Sequence, residues 1–95
     1  MKLQQYYVYI VSNKYNKVLY IGVTNNLNRR VHQHRDGVVG FTKQYNAHKL
    51  LYYDVLDTAD AAIMREKQLK NWHREWKLNL IQTVNPEFRD LSENL

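Results

Sequence analysis

At 95 residues the chain has room for one modest hydrophobic core and not for a second domain. A composition 44% hydrophobic and 24% charged is that of a globular domain, and the lack of any cysteine excludes disulfides and thiolate metal sites. Fourteen Lys and Arg against nine Asp and Glu leave a net charge of +5, which favours an anionic partner such as nucleic acid.

The N-terminus, "MKLQQYYVYIVSNK", has neither the apolar core nor the small-residue cleavage site of a signal peptide, and no apolar run approaches the roughly 18 to 20 residues of a membrane span. The expectation is a cytoplasmic protein with no membrane partner. "QYYVYIVS" (5–12) is rich in β-branched and aromatic residues and predicts a strand. "NKYNK" (13–17) offers asparagine turn chemistry, and "VLYIGV" (18–23) is the returning strand of an antiparallel hairpin. With side chains alternating across each strand, Tyr9 and Tyr20 can share a face, and Gly22 leaves space there for close approach by a backbone or ligand.

Thr24, Asn25 and Asn26 are candidate N-caps for a helix over about 27–35. On that helix Leu27, Val31 and His34 fall on one side, and Arg30 flanks them. "DGVVGFTKQYN" (36–46) is expected to be an irregular loop, and "KLLYYDVL" (49–56) a third strand, central or well covered because part of it is wholly apolar. Asp57, with Asp60 three residues on, is expected to cap a helix through "TADAAIMREKQLKNW". A further helix covers 74–84, and "NP" at 85–86 ends it. Phe88 and Leu91 can pack the tail. The order is β-β-α-β-α-α, an α+β (α/β) sandwich of helices on a small three-stranded sheet.

Helix 58–72 carries an anomaly: Glu66 stands within an apolar stripe of Ala59, Ala62, Ile63 and Leu69. A carboxylate placed there must be paired, hold a metal or take up a proton, because burying it alone costs several kcal/mol. One carboxylate, an arginine, a histidine and two phenols on a basic domain suit phosphodiester hydrolysis, which needs an activated water, phosphate charge stabilisation and help for the leaving oxygen. A single carboxylate is a normal Mg²⁺ environment, since that ion keeps part of its hydration shell. Zinc is disfavoured, because His32 and His34 would point about 200° apart on a helix.

"YVY" at 7–9, "YIG" at 20–22, the arginine in "NLNRRVHQH" and the glutamate in "AAIMREKQLKNW" together resemble the GIY-YIG nuclease module. The likeness is to small stand-alone bacterial members related to the N-terminal nuclease domain of the excision-repair endonuclease that incises 3′ of a lesion. It extends over nearly the whole chain, including "KLNLIQTVNPEFRDL". The resemblance implies a three-stranded antiparallel sheet flanked by helices and a divalent-metal-dependent endonuclease acting on DNA rather than RNA, in repair or DNA processing. By the same resemblance Tyr20 is the general base, Tyr9 supports it, Arg30 binds the scissile phosphate, His34 orients water or phosphate, and Glu66 is the protein ligand of Mg²⁺ or Mn²⁺. Asn85 matches a late asparagine of the family.

Tyr7 and Val8 depart from the family's glycine and isoleucine, and Val23 stands where the repair nucleases have a lysine. Lys43, Arg65, Lys67, Lys70, Arg74 and Lys77 are candidates for gripping the phosphate backbone. Without a separate DNA-binding domain, such a chain must bind weakly, dimerise or rely on a protein partner. The alternative function is a non-catalytic nucleic-acid-binding module on the same scaffold.

Overall fold

The computed structural model describes residues 4–37 and 40–95, apart from the side chains of 41–43 and 94. Strand β1 (Tyr6–Ser12) turns into β2 (Leu19–Thr24), followed by helices α1 (Leu27–Arg35) and α2 (Gly40–Tyr45), strand β3 (Lys49–Leu56), helices α3 (Ala59–Asn71) and α4 (Arg74–Val84), and a 3-10 turn (Leu91–Asn94). The sheet is antiparallel throughout, in the order β2-β1-β3. The hairpin turn uses the predicted asparagines. Asn13 Oδ1 accepts from the Lys17 amide at 2.7 Å, and Asn16 takes the left-handed conformation, φ 58°, that asparagine tolerates.

β1 is the central strand, and residues 8–12 of it are buried on both faces. One face packs Tyr9 and Val11 against Leu27 and Val31 of α1. The other packs Val8 and Ile10 against Ala62 and Leu69 of α3 and Ile81 of α4. Each fully buried Leu or Ile contributes about 1.5–3 kcal/mol relative to exposure.

β3 lies at the edge of the sheet, covered over its first half rather than central. A bulge opposite Ile10 and Val11 inserts Leu51, so that Leu51 and Tyr52, though consecutive, both enter the same core. The outer edge there is closed by the chain that follows α4. Asn85 Nδ2 donates to the Leu51 carbonyl at 3.1 Å, and the Leu50 amide donates to Asp90 Oδ1 at 3.1 Å. Phe88 packs on the α3–α4 side and Leu91 on the α1 side, so the tail wraps round β3 and shields an otherwise adhesive strand edge.

Two local expectations are corrected. The 36–46 stretch contains α2 and is not wholly irregular; no breaker stands between Gly40 and Tyr45, and Asn46, at φ 54°, ends the turn. The cap of α3 is Thr58, whose hydroxyl accepts from the Ala61 amide at 3.1 Å, and not Asp57.

Candidate active site

The hairpin register builds the first half of the site. Tyr9 lies directly opposite Gly22, and Val11 opposite Tyr20, so the two phenols emerge on one face. Their rings are 6.4 Å apart. α1 supplies the second half. Asn26 caps it by accepting from the Arg29 amide, and Leu27 and Val31 seat it on the sheet, which carries His34, 2% exposed, down onto both tyrosines. The His34 ring is 5.4 Å from that of Tyr9 and 5.4 Å from that of Tyr20, edge to face in each case. The Tyr9 hydroxyl and His34 Nε2 share a hydrogen bond of 2.9 Å.

The expected opening at Gly22 is filled from within. A Cβ there would lie 2.4 Å from the Tyr9 hydroxyl oxygen and 2.5 Å from Cζ, so the glycine exists to let the phenol lie across β2. The space serves a side chain of the site and not a ligand.

Burial, then the neighbouring Tyr20, push the Tyr9 phenol well above its ordinary value of 10; Glu66 adds to the rise and Arg30 opposes it. Burial, then the Arg30 charge, lower His34 to about 4. Near pH 7 the Tyr9–His34 hydrogen bond therefore joins two neutral groups. Arg30 itself, half-buried one turn before His34, has a buried Nε with no hydrogen-bond partner among the described residues.

Glu66 comes from α3, which packs beneath β1 and β2 on the opposite face of the sheet, yet its charge reaches the Tyr9 phenol. Its side chain is 22% exposed, and the carboxylate pairs with Lys70 Nζ at 3.3 Å, one turn along the helix. The apolar stripe around it is narrower than expected, because Ile63 points to solvent while Ala62 and Leu69 are buried. A partly open carboxylate oxygen is a hard donor. It fits a cation that keeps most of its water, such as Mg²⁺.

The remaining candidates fall elsewhere. Asn85 is buried with its amide engaged by Leu51 and by both backbone groups of Arg89, a structural clasp on β3. Arg65 is tied to Asp54, Gln68 and the Trp72 ring, and Arg74 donates to the Asn16 carbonyl. The side chains of Lys67 and Lys77 meet no acidic or hydrogen-bonding partner among the described residues. The side chain of Lys43 lies outside the described residues.

A cleft of about 430 Å³ is lined by Tyr7, Tyr53 and Asn25 among others and by none of Tyr9, Tyr20, Arg30 and His34; phenols are its one titratable side-chain type, so it carries less chemistry than the cluster. No motif marks the indoles of Trp72 and Trp76, which pack edge to face at 6.0 Å; their only signal in the sequence is an i, i+4 spacing beside cations.

The buried neutral His34 gives acid sensitivity a defined window. An unfolded histidine titrates near 6.5, so between pH 6.5 and about 4 the unfolded chain binds the proton first. The stabilisation is complete above 6.5 and is lost as pH falls toward 4, by roughly 3 kcal/mol. Urea midpoints across that range should fall for the wild type and much less for His34→Gln. Asp90 belongs to a lower window. Burial raises its carboxyl, but bonds from Ser92, Leu50 and Arg35 outweigh that and hold it below its ordinary 3.8, so its contribution persists until the pH falls beneath that value.

Residues 5–79 match the family model described as the GIY-YIG catalytic domain. A UPF0213 protein of Syntrophus aciditrophicus is 37% identical over 83 residues, 85% of this chain and 93% of that one. One from Haloquadratum walsbyi is 35% identical over 81% of this chain and 86% of its own length. The solution structure of a UPF0213 protein from Bacillus halodurans superposes with a TM-score of 0.59 over 94% of this chain and 95% of that chain; at 22% identity it speaks for the fold alone. With the family model spanning most of its length, and with relatives of this closeness, the chain belongs to the GIY-YIG family.

Proposed function

We infer that the protein is an endonuclease that hydrolyses phosphodiester bonds in DNA with the help of a divalent metal, in repair or another DNA-processing step. The observation that carries this reading is the convergence on one cluster of two phenols, a neutral imidazole and a guanidinium with no acidic partner among the described residues. A structural cluster of this kind would balance the arginine with a carboxylate. A phosphate diester supplies that missing negative charge instead.

In this assignment Arg30 holds the non-bridging oxygens of the scissile phosphate and stabilises the charge that grows on them. Tyr20, the less buried phenol, would first give up its own proton to solvent and then, as the phenolate, take the proton of the attacking water to return to the neutral phenol. Tyr9 stays protonated and, bonded to His34, fixes the position of Tyr20 through ring contact. Glu66 would hold Mg²⁺ or Mn²⁺, whose chemistry is Lewis-acid neutralisation of the phosphate and its leaving oxygen. Lys67 and Lys77, with Lys43, Lys70, Arg65 and Arg74, give the phosphate backbone a cationic approach.

The test is nicking of supercoiled plasmid by wild type, Glu66→Ala and Tyr20→Phe, each with Mg²⁺, Mn²⁺ or EDTA. Wild type should nick only with metal. Tyr20→Phe should lose on the order of 10²-fold, the scale of a general base, and Glu66→Ala should lose its metal dependence along with its activity. Equal nicking by all three proteins would falsify the enzyme assignment. Salt-sensitive binding without cutting would instead make the chain a nucleic-acid-binding module.

A further inference from the structure

We propose that Trp76, backed by Trp72, is a stacking platform for an unpaired base of single-stranded DNA; this rests on the nucleic-acid reading above and narrows its substrate. Trp76, Asn79, Leu80 and Thr83 form one stripe of α4, and with Trp72 at the end of α3 they line a shallow groove of about 290 Å³. Trp76 is 53% exposed and has no place in either core. Its ring is nevertheless held, by the edge-to-face contact with Trp72 and by His73 at 5.2 Å and 88°. A large apolar ring kept rigid at the surface loses little entropy when another ring stacks on it.

The surroundings select the ligand. Arg65 lies over the Trp72 ring at 5.3 Å. Between residues 65 and 77 Arg65, Lys67, Lys70, Arg74 and Lys77 outnumber Glu66 and Glu75. An apolar protein surface gains nothing from a guanidinium over Trp72 and an excess of cations on the same two helices. A ligand with aromatic faces joined by phosphates is attracted by both the rings and the cations. Duplex DNA hides its base faces within the stack, so the base must be unpaired. At the rim the Asn79 side chain has no hydrogen-bond partner among the described residues, and the Thr83 hydroxyl, which donates to the Leu80 carbonyl at 2.6 Å, keeps its lone pairs, so both can meet base edges.

Tryptophan fluorescence, recorded in EDTA so that nothing is cut, reads this directly. Oligothymidylate should quench the emission of the wild type to saturation, and a blunt duplex of the same length should quench it far less. Trp76→Ala should weaken single-strand binding on the order of tenfold while leaving duplex binding in place, and Trp76→Phe should restore most of the loss. Equal single-strand affinity for wild type and Trp76→Ala overturns the platform, whatever the plasmid assay gives. So does self-association in the absence of DNA that Trp76→Ala abolishes, since the groove would then be a protein interface. Quenching that depends on Trp76 in a protein that does not nick would sustain the platform and reject the nuclease instead.

Discussion

Gly22→Ala should damage the fold and the site together: about 1–3 kcal/mol of stability, the cost of overpacking a filled core, and on the order of 10²-fold in nicking, the scale of a misplaced catalytic group. The new Cβ would stand 2.4 Å from the Tyr9 hydroxyl oxygen, 2.5 Å from Cζ and 2.9 Å from Cε1. A flexible surface side chain could swing aside. Tyr9 cannot, because it is 2% exposed, bonded to His34 and in ring contact with Tyr20. Displacing it breaks the 2.9 Å bond and removes the support behind Tyr20 in one step. Gly40→Ala is the control, since a Cβ at Gly40 meets nothing within 4 Å and helix α2 accepts alanine; its denaturation midpoint should be unchanged or slightly raised. Wild-type stability and nicking in Gly22→Ala would mean that the phenol does not lie where the geometry puts it.

What the sequence discloses about this protein is whatever depends on neighbours in the chain. The hairpin strands and α1 follow from β-branched alternation, asparagine turns and a capped apolar stripe, and once the hairpin is accepted its register brings Tyr9 and Tyr20 to one face. His34 belongs with Leu27 and Val31 by helical spacing alone, and all three are buried. The failures are of another kind. A six-residue helix such as α2 is too short to show a period. The apolar run in β3 is explained not by neighbouring strands on both sides but by Asn85 and Asp90, residues more than thirty positions away that close its edge. The role of Gly22 is hidden for a related reason, since nothing near it in the chain announces that a tyrosine from the opposite strand will fill the space. Thr58 rather than Asp57 caps α3 because caps are decided by one residue's backbone angles, which composition does not fix.

Arg30→Met should separate function from stability, losing activity without losing the fold. Most residues that hold a structure together have their polar atoms paired, whereas the Arg30 Nε is buried with no partner among the described residues. Replacing it by an apolar chain of similar length removes an unsatisfied donor, a defect that costs about 1–3 kcal/mol. The urea midpoint of Arg30→Met should therefore stay level or rise. Nicking should fall by 10²- to 10³-fold, the scale of losing one preorganised charge donor, and Arg30→Lys should not rescue it, because an ammonium cannot present the planar fork that grips two phosphate oxygens. A third readout follows from the electrostatics. Arg30 is the second cause, after burial, of the depressed His34 titration, so in Arg30→Met that titration should rise from about 4 while remaining below 6.5, as burial persists. Histidine ring chemical shifts followed against pH measure this directly. If Arg30→Met unfolds as easily as a core truncation, or if His34 titrates unchanged, the guanidinium is part of the scaffold and some other group must meet the phosphate.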